Sequence, residues 1–114
     1  MRIERDFPGH FICADRCRFF RTTDVNGYRI STVGDMRYEN KMVEVGWGRR
    51  YETMVFRLGK RICNCGCKAP TVLKWAELDC AGYNSRKAAI AGHEKMVAKW
   101  EAVESTTTRK DGTG

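Results

Sequence analysis

The chain has 114 residues, six of them cysteine, and a formal net charge of +7 from 21 basic against 14 acidic residues. That length holds one domain with a modest core, and no stretch approaches the roughly 20 apolar residues a membrane span needs. The charge points to polyanionic or phosphate-bearing partners; the plain alternative is a basic surface that only keeps the chain soluble.

The first residues, MRIERDFPGHF, lack an apolar core of signal-peptide length, so a cytosolic protein is expected. Residues 1–9 read as an extended lead-in with a turn at Pro8-Gly9, and His10, Phe11 and Ile12 as a short strand. The stretch from Cys17 to Asp35 reads as a β-hairpin on which the rest is built. Asn26-Gly27 tolerates positive φ at both centres of a type I′ turn, whose twist suits paired strands. The register then sets Val25 against Tyr28, Asp24 against Arg29, Thr22 against Ser31 and Phe20 against Val33, which matches opposite charges and like hydroxyls.

Residues 36–50 read as a short strand or sheet edge carrying Met42, Val43 and Val45. A loop, Gly46-Trp47-Gly48, then leads into Arg49-Arg50. Trp47 either stacks on a base or packs over the sheet edge. Residues 51–58, YETMVFRL, form a strand with Met54, Phe56 and Leu58 on one face, apolar enough to lie under a helix. Arg57 then falls on the open face beside Tyr51 and Thr53. Ile62 to Pro70 is an irregular cysteine-rich connector, Thr71 to Leu78 a short strand or a turn or two of helix, and Asp79 to Asn84 a loop. From Ser85 to about Val103 runs the one convincing helix: Ala89, His93, Met96, Trp100 and Val103 form a stripe that Ile90 and Val97 widen, and Asn84 or Ser85 caps the start. The tail STTTRKDGTG is expected to be disordered. Strands followed by one helix predict an α+β domain over residues 1–104, an antiparallel sheet built on the N-terminal hairpin and packed by the C-terminal helix, with the tail at 105–114.

Four groups could carry chemistry. Cys63, Cys65 and Cys67, with Cys80 farther on, could supply thiolates to a structural zinc, although Cys-x-Cys is tighter than the usual knuckle. His10, Cys13 and Cys17 could complete another site. Without a signal peptide, reduced thiols buried as small hydrophobes are the alternative. Tyr83, Asn84, Ser85, Arg86 and Lys87 gather cations, a hydroxyl and free N–H groups at a helix start, a setting for a phosphate. On the sheet, Arg21 and Arg57 could fork onto phosphate oxygens with Ser31 and Thr32 beside them, or lie along the surface and pair with acids. His93 reads as a satisfied core residue. No Walker loop, G-x-S-x-G or H-E-x-x-H appears, so an enzyme is not expected.

The ordered motifs CRFFRTT, YRISTVGDMRY, YETMVF and AGYNSRKAAIAGHEKMVAKW resemble a family of small phage and prophage proteins, over roughly residues 10 to 102. The insert CNCGC departs from that family. The layout of sheet and helix is also similar to the first Thoeris anti-defence family, whose members sequester nucleotide-derived signals in pockets of an oligomer. These resemblances imply a non-enzymatic, phage-encoded binding protein acting in the cytoplasm of an infected bacterium. Its ligand would be a nucleotide signal such as a cyclic nucleotide or a cyclic ADP-ribose isomer. Arg21, Arg57 and Arg86 would meet phosphates, Ser31, Thr32 and Asn84 would hydrogen-bond, and Tyr83 would stack. A pocket of that size calls for a homo-oligomer. The rival readings are a nucleic-acid-binding module stabilised by zinc, and a protein inhibitor of a host defence enzyme anchored by Trp47.

Overall fold

The computed structural model describes residues 2–7, 16–45, 48–63, 69–73 and 76–103. Strands β1 (Arg2–Arg5), β2 (Cys17–Val25), β3 (Tyr28–Tyr38), β4 (Lys41–Val43), β5 (Tyr51–Ile62), β6 (Pro70–Val72) and β7 (Asp79–Tyr83) precede one helix, α1 (Arg86–Glu101). All pairings are antiparallel. The sheet runs β1-β2-β3-β5, with β4 on the far end of β3 and with β7 and β6 successively along β5. The α+β layout of an antiparallel sheet and one C-terminal helix is therefore as the element order implied. Among the described residues no helix is long and apolar enough to cross a membrane.

The central hairpin has the expected register, including Val25↔Tyr28, Asp24↔Arg29 and Phe20↔Val33. Asn26 (φ 55) and Gly27 (φ 81) make its turn. The turn does a second job: the Asn26 side-chain amide donates to the carbonyls of Trp100 and Val103, satisfying acceptors that a helix C-terminus leaves open. Strand β3 continues to Tyr38, where Glu39 (φ 52) and Asn40 (φ 65) turn the chain into β4.

Two expected elements come out differently. Residues 2–5 are a strand on β2 rather than a lead-in, with Arg2 anchored by Glu94 and Glu101 of α1. Asp79 to Tyr83 is an edge strand on β5 rather than a loop. Helix α1 begins one residue after its cap Ser85, whose Oγ accepts from the Ala88 N–H at 3.1 Å. The strand expected at His10–Ile12, the Trp47 loop and the tail lie outside the described residues.

The helix covers the opposite face of β5 from the one expected. Its core is Val25, Tyr28, Ile30 and Val55 against Met96 and Val97, on the face that also holds Thr23, Thr32 and Thr53. Met54, Phe56 and Leu58 face the other way. Counting apolar residues misled here, because three threonines under the helix are hydrogen-bonded and so cost little to bury. The other face buries an ion pair. Arg29 donates to both oxygens of Asp24 at 2.8 Å, and each side chain is under 5% exposed. Arg5 adds a third bond to Asp24 at 2.9 Å.

Candidate functional site

The seven residues expected to hold a ligand do not meet. Arg21 lies opposite Thr32 on β2 and Arg57 opposite Tyr28 on β5. They are two strands and four residues apart, roughly 16 Å by sheet spacing. Tyr28, Ile30, Thr32, Thr53 and Val55 fill the space between, under α1. Thr32 is buried there, and Ser31 is buried on the opposite face. The expected site of one phosphorylated guest between the two arginines is thus not assembled by this sheet. Asn84 accepts from the Arg50 backbone N–H at 3.3 Å.

Arg86 already holds an anion, and it is internal. Asp35 sits on β3 with φ 50. Strand alternation would aim it away from α1, and the left-handed backbone turns it back. Its carboxylate accepts from Arg86 at 2.6 Å, Arg50 at 2.9 Å and the Tyr51 hydroxyl at 2.8 Å. Burial pushes the Asp35 carboxyl up, but the bonds from Arg86, Tyr51 and Arg50 outweigh that and leave it below its usual range. A helix that starts with Arg86 and Lys87 puts like charge on its positive end; Asp35 neutralises that end. Nothing in the local sequence marks Asp35 as the counter-ion, since it follows Gly34 at what reads as a strand end.

His93 is fully buried and both ring nitrogens are occupied. Thr23 Oγ1 lies 2.8 Å from Nε2 and Thr32 Oγ1 2.7 Å from Nδ1. Thr23 donates its proton to Glu4 at 2.8 Å, so it accepts from Nε2–H. The neutral ring then accepts at Nδ1 from Thr32, and Thr32 accepts from Thr53 at 2.6 Å. The order Thr53→Thr32→His93→Thr23→Glu4 is one directional relay across four strands and the helix. Burial lowers the His93 pKa to about 4. With no solvent access and no free lone pair, this histidine holds the layers together rather than handling a substrate.

A groove of about 490 Å³ runs between α1 and β7. Ala88, Ala91, Gly92 and Met96 face Tyr83 across it, with Lys95 and Lys99 along the rim. Tyr83 packs so close to Gly92 that a Cβ there would come within 2.2 Å of the phenol ring. Lys99 is held by Asp79 at 2.6 Å, and that bond lowers the Asp79 carboxyl pKa. Lys95 has no acid partner among the described residues.

The cysteines expected to share zinc are split. Cys80 pairs with Met54, and Cys63 follows the far end of β5. That run is roughly 30 Å when extended, so the two cannot bind one ion, whose thiolates lie about 2.3 Å from the metal. Cys65 and Cys67 lie outside the described residues, as do His10 and Cys13.

Charge is distributed unevenly. Asp24, Asp35, Asp79, Glu94 and Glu101 are engaged with arginines and Lys99. Among the described residues, exposed cations without an acid partner form a group at each of the two ends of the sheet. One end is the β5–β6 arm, with Arg57, Lys60 and Arg61. Between Glu52 and Glu77 the sequence contains no acidic residue, and it adds Lys68 and Lys74. Glu52 itself is pushed up, by burial first and then by the charge of Glu77. The other end is the β3–β4 arm, with Arg16, Arg18, Arg37 and Lys41. The acid-free run from 53 to 76 marks the first arm in the sequence; the second forms only when Arg16 is brought beside Tyr38.

No family model matches the chain, and no curated protein or solved structure matches it significantly.

Proposed function

We propose that the chain is a non-enzymatic nucleic-acid-binding module whose principal contact is the β5–β6 arm. One observation carries this: the arm is a two-stranded ribbon bearing Arg57, Lys60 and Arg61 in a stretch free of carboxylates, while five acids elsewhere are engaged in ion pairs. Phosphate contacts by unpaired lysine and arginine supply sequence-independent affinity and release counterions. The test is titration of the full chain with a fluorescein-labelled mixed-sequence DNA at several salt concentrations. Log affinity should fall linearly with log salt, and a Lys60→Gln/Arg61→Gln variant should bind less tightly with a slope shallower by about 2, one per lost phosphate contact. Absence of binding at low salt, or binding indifferent to salt, overturns the reading.

The groove beside β7 favours a second reading, capture of a small nucleotide signal of the kind the phage resemblances imply. Its volume suits such a ligand, Tyr83 supplies an aromatic wall and Lys95 an unpaired cation. Heat release from protein incubated with a nucleotide panel separates the two: recovery of an intact nucleotide supports capture, and a second copy of the chain would then close the shallow groove. Metal analysis of the same sample tests for zinc.

A further inference from the structure

Among the described residues, the β3–β4 arm differs from the other arm in one respect. It carries an exposed aromatic ring among its cations. Tyr38 is 51% exposed, at the last position of β3 before the turn. The Arg16 guanidinium stacks on its ring, 4.9 Å from the centroid. Lys41 is its cross-strand partner, and Arg37 and Met42 pair beside it. Glu39, in the turn, forms no ion pair among the described residues.

We propose that Tyr38 is a stacking platform for an unpaired base, so that the module prefers single-stranded over duplex nucleic acid; this rests on the nucleic-acid reading above. A guanidinium on one side of the ring leaves the other side for a base, and it places a positive charge where the adjoining phosphate runs. The ring of an intact duplex base is already stacked on both sides. Reaching it requires wedging the step apart or flipping the base, which costs the stacking and pairing of that base. The turn that presents Tyr38 is short and set by left-handed Glu39 and Asn40, so the ring is displayed on a fixed ribbon rather than a loop. By strand spacing the arm lies roughly 45 Å from Ile62 at the end of the other arm, so changing Tyr38 leaves the phosphate-gripping ribbon intact.

The experiment compares a labelled strand of about 12 nucleotides, a length within the range of small single-strand binders, with its blunt duplex, at one salt concentration. Wild type should bind the single strand more tightly. Tyr38→Leu should weaken single-strand binding about tenfold and duplex binding little, erasing the preference. Tyr38→Phe, which keeps the ring, should retain the preference. The Lys60→Gln/Arg61→Gln variant should weaken both substrates alike. A preference for duplex, or one unchanged in Tyr38→Leu, overturns the stacking role while leaving the module a nucleic-acid binder. Binding of neither substrate by wild type overturns the parent reading and this one with it.

Discussion

Thr32 Oγ1 lies 2.7 Å from Nδ1 of His93, with no solvent reaching either group. The central strand and the helix are thus joined by a polar bond in the middle of an otherwise apolar contact. Thr32→Val keeps the shape and removes the hydroxyl. It strands the Nδ1 lone pair and takes the acceptor from Thr53. An unsatisfied buried group costs about 1–3 kcal/mol, so thermal midpoint should fall by roughly 4–8 °C per kcal/mol. Thr53→Val, at the end of the relay, should cost less because its loss leaves Thr32 still donating to the ring. Thermal melts of the two variants measure this; equal midpoints for Thr32→Val and wild type would show that the relay carries no stability.

His93 also sets a pH window. Its pKa is about 4 in the folded chain against 6.5 for the free side chain, so between those values the unfolded state binds more protons. Stability is complete above about pH 6.5 and declines as pH falls toward 4, by up to about 3 kcal/mol at 1.36 kcal/mol per pH unit. Asp35, whose folded carboxyl is depressed, loses its contribution only below the ordinary carboxylate range. The two windows are therefore successive. Denaturant melts at pH 7, 5.5 and 4.5 should show the first loss in wild type, and a His93→Phe variant should be less stable at pH 7 yet flat across that range.

The sequence made the hairpin legible because its evidence is local: Asn26-Gly27 sets the turn, and Asp24 with Arg29 sets the register. The helix was legible from its stripe. Which face of the sheet the helix covers was not, because the deciding contacts join Thr23 and Thr32 to a histidine far along the chain, with Thr53 bonded to Thr32, and hydropathy scores those threonines as surface. The same limit hid Asp35. Its partners Arg50 and Arg86 come from a strand start and a helix start, and its aim depends on a backbone φ that residue type alone does not announce. Of the ligand residues, Tyr83 does line a groove, but Arg21 and Arg57 share only a sheet face, and strand alternation carries no measure of distance along it.

Asp35 holds two guanidinium groups and a phenol, so its two oxygens are not interchangeable with a neutral residue. Asp35→Asn keeps the size and tolerates the left-handed backbone, but removes the charge. The arginines are about half exposed, so water screens much of the loss, and a cost of about 1–2 kcal/mol is expected. Asp35→Ala loses every bond and strains the backbone at φ 50, and should cost about 1 kcal/mol more. Raising salt should narrow the gap between wild type and Asp35→Asn. A gap that does not respond to salt would mean that geometry, not charge, is what Asp35 supplies.

Gly92 gives the sharpest sign test. In an exposed helix interior, glycine to alanine gains about 1 kcal/mol from helix propensity. Here the added Cβ would meet the Tyr83 ring at 2.2 Å, so the ring or the helix has to shift to admit it. Overpacking of this kind costs about 1–3 kcal/mol, so Gly92→Ala should destabilise, by up to roughly 2 kcal/mol net of the propensity gain. Removing the obstruction should reverse the sign. In a Tyr83→Ala background the same substitution has space, and it should become neutral or stabilising. The two changes are then coupled by at least about 1 kcal/mol in a double-mutant cycle. Additive effects would mean that α1 and β7 do not approach as closely as the Gly92–Tyr83 contact requires, and the groove that they bound would lose its floor.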